Sequence, residues 1–487
     1  MLRNPLPCDA QARGIPIMNG SATHRSPAIL SAAILAALGV SVALLALTSV
    51  PREAAFMSGI FLLAALLWVT EALPLFATSL LVIGLQLILL ANPGGWPGLG
   101  FSQGESPGWR AIVGEAADPV LVLFFGGFLL ARAAVKEGVD RAMSSVLLRP
   151  FGGQPRWILL GLMMVTALFL MWMSNTATTA MMMTLVAPML AQMPPGEPFR
   201  KALALAVPVA ANIGGIGTPI ASPPNAVALG FLQKAGLHIG FLDWMLVAVP
   251  LLGLLLVLSW EMLWRFHRPA AAEMRLAHPA QRLSQRGWYV VGTFVVTVLL
   301  WLTDQWHGLP AAVVALLPAV ALTASGILDR ADVNSLDWHI LILIAGGVSL
   351  GAGMQWTGLD AHVATMLPDG GGVWLLAVLV LATIGIATFM SNTAAANLLL
   401  PIGISAATAA GASGSPSAVQ AALCIAMAAS LSMSLPVSTP PNAIAYAQGE
   451  FTTRDLARVG ILVALAGALL LVAGSGIALR LLSLISS

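Results

Sequence analysis

The string MSNTA occurs twice, at Met173–Ala177 and at Met390–Ala394. Downstream of the first copy stands SPPN (Ser222–Asn225), and downstream of the second TPPN (Thr439–Asn442). The distance from the tip serine to the Pro-Pro-Asn asparagine is the same in both: 225 − 174 = 51 and 442 − 391 = 51. Upstream, FFGGFLLARAAVKEGVD (Phe124–Asp140) pairs with LIAGGVSLGAGMQWTGLD (Leu343–Asp360). Gly126 to Gly346 is an offset of 220, and so is Asp140 to Asp360. Leu73-Pro74 and Leu309-Pro310 give a fainter echo. Two halves, about 54–235 and 287–450, therefore share one plan, and any fold for this chain must build the same piece twice.

Polarity says what surrounds that piece. Of the 487 residues 58% are hydrophobic and 9% charged, against about 25% charged in a soluble domain. Mean hydropathy is +0.90. The chain reads as a membrane protein, in which each spanning helix needs roughly 20 apolar residues. Apolar runs fall near 28–50, 54–71, 74–91, 118–135, 157–193, 201–233, 241–264, 287–304, 309–326, 338–357, 373–410, 417–447 and 454–484. Two of them, 157–193 and 373–410, are too long for one helix, and Ser-Asn-Thr interrupts each near its middle. Each is predicted to turn back as a re-entrant hairpin. Counting the other runs as single crossings gives eleven. With the N-terminus inside, the basic clusters at Arg3–Arg25, Arg132–Arg156, Arg200-Lys201, Arg265–Arg286 and Arg454–Arg458 all fall on the cytoplasmic side, where juxtamembrane Lys and Arg concentrate. The loop 92–117 and the C-terminus fall outside. The first half then begins outside and the second inside, which is the inverted-topology repeat of many secondary transporters. The expected fold is an all-α polytopic membrane protein with about eleven transmembrane helices plus two re-entrant hairpins. Residues 1–26 read as a cytoplasmic tail, not a signal peptide, because the first apolar run is long enough to span.

The polar motifs are costly at mid-membrane unless they do something. Ser, Asn and Thr cap helices by accepting hydrogen bonds from free N–H groups, and capping alone accounts for one SNT copy. It does not account for two copies at a fixed distance from PPN. The Pro-Pro pair removes two N–H donors and disfavours helix before it, so SPPN and TPPN should each unwind a spanning helix. Irregular backbone at membrane depth survives only where it lines a protein cavity. Gly214, Gly215 and Gly217 permit close backbone approach in the first half. Two tips and two broken helices thus converge. Residues 157–196, 202–233 and 373–449 hold no Asp, Glu, Lys, Arg or His, which argues against a proton relay. The oxygens suit a hard cation such as sodium, bound together with an anion held by hydroxyls, amides and helix N-termini. Two tips suit a ligand with two anionic ends.

SNTATT (Ser174–Thr179), SNTAAAN (Ser391–Asn397), SPPN and TPPN resemble the divalent anion:sodium symporter family, over nearly the whole chain after the tail. The resemblance implies sodium-coupled import of a dicarboxylate such as succinate, or of citrate or sulfate. Sodium-independent exchange is the family's alternative mode. It implies a homodimer in the bacterial inner membrane, surrounded by lipid, whose transport region slides past a scaffold as an elevator. The scaffold would comprise 27–117 and 236–337 (the latter with a cytoplasmic loop), the transport region 118–235 and 338–450, and 451–487 the last helix. Carried over by residue, Ser174, Asn175 and Thr176 with Ser391, Asn392 and Thr393 form the carboxylate-binding tips, and Ser222, Thr439 and Pro440 add substrate contacts. One sodium would sit by Ser174, Asn175 and the backbone around Ala221, the other by Ser391, Asn392 and the backbone around Ser438. Sodium-coupled relatives can carry a hydroxyl one turn before each SNT; here Leu170 and Ala387 stand there.

Other readings are weaker. GASG (Gly411–Gly414) matches a serine-protease motif of membrane enzymes, but the last histidine is His362, upstream of it. Such a serine needs a base. GVSLG (Gly347–Gly351) lies in an apolar run and not at a strand-turn-helix. An enzyme is not expected. No basic, aromatic-interleaved patch suggests nucleic acid, and Cys8 and Cys424 stand too far apart to imply a disulfide framework. Trp96, Trp109, Trp301 and Trp306 read as an interfacial belt, and Glu53 and Glu71 as interfacial. Met171, Met173 and Met181–Met183 read as hairpin packing.

Overall fold

A computed structural model describes residues 27–47, 50–102, 106–269, 282–365, 372–409 and 417–485. The predicted tail 1–26 and the GASG motif lie outside them. Within them the chain is helical and no strand appears.

The repeat is visible helix by helix. Arg52–Thr70 corresponds to Gln285–Leu302, Leu75–Gln86 to Ala311–Ala324, and Pro119–Lys136 to Trp338–Trp356. Short helices follow at Val139–Leu148 and Leu359–Thr365. Then come the tip pairs: Pro155–Leu170 with Asn175–Ala191, and Val373–Phe389 with Asn392–Ala409. The broken pairs are Pro198–Gly214 with Pro223–Lys234, and Ala418–Ser430 with Pro440–Tyr446. Each half closes with a long helix, Phe241–Phe266 or Thr453–Ile485. The shared plan thus extends past the predicted ends of 235 and 450. Pro27–Leu47 stands outside it.

Seven helices among the described residues are long and apolar enough to cross a membrane unaided. The other predicted crossings are shorter or interrupted. Leu75–Gln86 passes into a π turn at Leu87–Ala91, and Ala311–Ala324 has 14 residues with Pro318 inside. The runs 201–233 and 417–447 are each split, because proline in the first two positions of Pro223–Lys234 and Pro440–Tyr446 cannot continue a helix from the N-terminal side.

The halves interlock. Ala311–Ala324 of the second packs on Pro119–Lys136 of the first, and Leu75–Gln86 of the first packs on Trp338–Trp356 of the second. Two of the close approaches are symmetric. A Cβ on Gly126 would lie 2.2 Å from the Ala315 carbonyl oxygen, and a Cβ on Gly346 would lie 2.2 Å from the Ser79 Cβ. Ala315 is five residues past Pro310 and Ser79 five past Pro74 (315 − 310 = 79 − 74 = 5). Only glycine permits such contact. GVSLG belongs to this packing: Ser349 donates to Gln86 Oε1 at 2.6 Å, and Gln86 Nε2 donates back to the Ser349 carbonyl at 3.0 Å.

An ion cluster fastens one end of Pro119–Lys136. Arg132 Nε lies 3.1 Å from Asp332 Oδ1, and Lys136 pairs with both Asp332 and Asp329. Burial alone would raise the Asp332 carboxyl. The Asp329 N–H, Lys136 and Arg132 outweigh it and hold the group below its ordinary value. The Asp332 N–H and Lys136 do the same for Asp329. Both depressed carboxyls contribute stability that is present above the ordinary carboxylate value near ~4 and lost as pH falls through the native one. Asp332→Asn is therefore expected to lower the thermal unfolding midpoint at neutral pH and to flatten the fall on acidification, followed by intrinsic fluorescence in detergent. Asp329→Asn should do less, because its side chain is 61% exposed.

Candidate functional site

The tips are breaks between helices that pack on one another. Ser174 occupies the N-cap position of Asn175–Ala191, yet its hydroxyl caps nothing. The first turns are held instead by backbone: the Ser174 carbonyl accepts from the Thr178 N–H, and the Ser391 carbonyl from the Ala395 N–H, each at 3.0 Å. Side-chain capping is therefore not what Ser174 does. Among the described residues the side chains of Ser174, Asn175, Thr176, Ser391 and Thr393 make no hydrogen bond to the protein, while Asn392 Oδ1 accepts from Ser432 Oγ at 2.8 Å. Apart from Asn392 Oδ1, their side-chain polar atoms are uncommitted. The hairpin methionines do pack: Met171, Met173 and Met181–Met183 are all buried.

The PPN asparagines staple the breaks. Asn225 Nδ2 donates to the carbonyls of Gly215 (2.9 Å) and Thr218 (2.8 Å). Asn442 Nδ2 donates to those of Met433 (3.0 Å) and Leu435 (2.8 Å). Each asparagine thereby satisfies carbonyls that the broken helix leaves free, as buried polar groups require. Each break is also tied to its own tip. Thr218 Oγ1 donates to the Met171 carbonyl, and Ser438 Oγ to the Thr388 carbonyl at 2.8 Å. Both acceptors stand three residues before the tip serine (174 − 171 = 391 − 388 = 3). Gly214 lets the broken helix lie against the hairpin, since a Cβ there would meet Ala167 backbone at 2.7 Å. One tip plus one break makes a unit, present twice.

The two units face one cavity of about 720 Å³. All eleven residues singled out in the sequence line it: Ser174, Asn175, Thr176, Ala221, Ser222, Ser391, Asn392, Thr393, Ser438, Thr439 and Pro440. Leu170 and Ala387 are fully buried and do not line it. Sequence reasoning missed others. Asn212 and Ser430, in the last turns before the two breaks, also line the cavity. So do Glu71, Asp337 and His339, which come from outside the uncharged stretches. Glu71, read as interfacial, is exposed at the cavity wall, and Glu53 is buried, accepting from Ser102 N (3.0 Å) and Oγ (2.8 Å). Among the described lining residues there is no Lys or Arg.

Aromatic residues frame the cavity unequally. Trp172 and Phe389 stand two residues before the two tip serines and both line it. Trp172 stacks on Phe241 and Trp301, at ring separations of 5.9 and 6.4 Å, whereas Phe389 is 77% exposed. Trp301 is fully buried in that stack, which corrects its reading as an interfacial residue. Its indole N–H donates to the Ala311 carbonyl at 3.0 Å.

Comparison with known proteins agrees with this architecture. The model for the sodium:sulfate symporter transmembrane region matches residues 27–483. An uncharacterized transporter of Haemophilus influenzae is 31% identical over 443 residues, covering 86% of this chain and 90% of that protein. The sodium-dependent dicarboxylate transporter SdcS of Staphylococcus aureus is 30% identical over 467 residues, covering 87% and 85%. The solved YdaH transporter of Alcanivorax borkumensis is 14% identical with a TM-score of 0.55, covering 85% of this chain and 98% of that one, and so speaks to fold alone. With the match spanning the membrane helices, both tips and both breaks, the chain belongs to the sodium:sulfate symporter family and is a membrane transporter, not an enzyme.

Proposed function

We propose that the chain is a secondary active transporter that carries a succinate-like dicarboxylate together with sodium. The observation that carries this reading is the cavity: two equivalent tips whose hydroxyls are uncommitted, as is the Asn175 amide, with two acidic side chains, one histidine, and no Lys or Arg. A dianion placed there has no Lys or Arg to compensate it, and uncompensated charge in a low-dielectric site is costly. Sodium entering with the anion supplies the missing charge. Ser174, Asn175 and Thr176 take one carboxylate and Ser391, Asn392 and Thr393 the other, with Ser222, Thr439 and Pro440 against the carbon chain. Sodium is held by Ser174, Asn175 and the backbone at Ala221 in one unit, and by Ser391, Asn392 and the backbone at Ser438 in the other. Leu170 and Ala387 leave the rest of that coordination to carbonyl oxygens.

In the same reading 118–235 and 338–450 form the moving region of an elevator, and 27–117 with 236–337 the scaffold of a homodimer. The hairpins are re-entrant, the N-terminus cytoplasmic and the C-terminus outside, in a bacterial inner membrane. Sodium-independent exchange is the second reading, favoured by the buried apolar side chains at Leu170 and Ala387. Citrate or sulfate are the competing anions. Proteoliposomes loaded with labelled-succinate-free buffer and given an inward sodium gradient should take up labelled succinate many times faster than with a matched potassium gradient. Equal rates would sink the coupling. Competition by unlabelled malate, citrate and sulfate ranks the anions.

A further inference from the structure

Two hydrogen bonds cross between the repeats at the centre of the molecule. Asn212 Nδ2 of the first donates to Asn442 Oδ1 of the second at 3.0 Å. Ser430 Oγ of the second lies 3.1 Å from Ser222 Oγ of the first. The two reaching residues are equivalent. Asn212 stands three residues before Gly215 and Ser430 three before Met433, the first carbonyl that each PPN asparagine staples (215 − 212 = 433 − 430 = 3). Each is 3% exposed, and each lines the cavity.

What each bond orients is specific. Asn442 has one amide with two jobs. It accepts from Asn212 on Oδ1 while its Nδ2 holds the Met433 and Leu435 carbonyls of the break that carries Ser438 and Thr439, whereas the equivalent Asn225 makes its staple with Oδ1 unpartnered among the described residues. A residue of the first repeat thus bonds the amide that staples the second unit. Conversely, the Ser430 hydroxyl fixes the rotamer of Ser222, beside Ala221 in the first unit. Both bonds are buried and uncharged, so neither pH nor salt dissolves them, and losing either leaves a buried polar group unmatched. A ligand that orders one break therefore orders the residue that holds the other.

We propose that Asn212 and Ser430 are positioning residues that couple the two units, so that a cation held at one tip preorganises the other. The inference rests on the reading of the two tips as paired sodium sites. It is tested on the purified full chain by titrating NaCl, with choline chloride holding ionic strength, and following bound radiolabelled sodium at fixed temperature by scintillation proximity, with the sodium-free thermal unfolding midpoint measured in parallel, since a midpoint rises logarithmically with ligand and does not itself saturate. The parent should respond sigmoidally, with a Hill coefficient above one. Ser430→Ala and Asn212→Ala should respond hyperbolically, with half-saturation several-fold higher, while Ser430→Thr, which keeps the hydroxyl, should restore the sigmoid. Midpoints that fall uniformly in the alanine variants with an unchanged sigmoid mark the bonds as structural and overturn the proposal, as does a hyperbolic parent. A parent that ignores NaCl refutes the sodium reading itself, and the coupling with it.

Discussion

Asn175→Ala and Asn392→Ala should each reduce succinate uptake in proteoliposomes by about a hundredfold or more. One hydrogen bond to a charged partner contributes about 1.5–3 kcal/mol, or roughly ten- to a hundredfold, and each amide is assigned to both an anion and a cation. The two variants should differ in stability. Among the described residues the Asn175 side chain makes no hydrogen bond within the protein, so its loss should leave the unfolding midpoint close to the parent's. Asn392 accepts from the buried Ser432, so its truncation leaves that hydroxyl with only its bond to the Ala429 carbonyl and should cost a small amount of stability. Uptake above half the parental rate in either variant would break the assignment of the tips. Initial rates are to be normalised to protein recovered in the liposomes.

Gly126→Val and Gly346→Val should both severely damage folding. At Gly126 the new Cβ meets the Ala315 carbonyl, which is backbone and cannot rotate away; at Gly346 it meets the Cβ and Cα of Ser79. Overpacking of a close-packed interior typically costs ~1–3 kcal/mol, and contact with backbone places both at the upper end or beyond. The equivalence of the two contacts predicts similar losses, read as monodisperse protein recovered in detergent and as unfolding midpoint. Gly253→Val, at a position where a Cβ meets nothing within 4 Å, is the control and should behave like the parent.

Much of this was legible in the sequence because local physics wrote it there. The Pro-Pro pairs force their breaks, the SNT strings fall where the long apolar runs turn, and equal spacings betray the repeat. What stayed hidden depends on partners far along the chain. Asn212 lies in an alanine-rich helix with no motif around it, and its offset to Ser430 is 218 rather than 217. The difference arises because the first break holds one more residue between the first stapled carbonyl and the stapling asparagine (225 − 215 = 10 against 442 − 433 = 9). Glu71, Asp337 and His339 were missed because they reach the cavity from outside the repeats' uncharged stretches. Trp301 looked interfacial by position along its run; only its stack with Phe241, at 4.9 Å, shows it to be interior. The free hydroxyl of Ser174 was concealed by its residue type, since serine at a helix start ordinarily caps it.

The interlocked halves also bear on how the chain is made. Gly126 meets Ala315, 189 residues later (315 − 126), and Ser79 meets Gly346, 267 residues later (346 − 79). Contacts at such separations are slow to form, because chain ends must be brought together before any packing rewards them. Synthesis delivers the first half to the membrane with the glycine face of Pro119–Lys136 still uncovered. It stays so until Ala311–Ala324 arrives. Neither half can complete its core alone, and assembly is finished by intercalation rather than by docking of two preformed pieces. For a transporter of this build the vulnerable interval is therefore the stretch of translation between the first broken helix and the second half's arrival, when a membrane chaperone or protease would find an unpaired helix to act on.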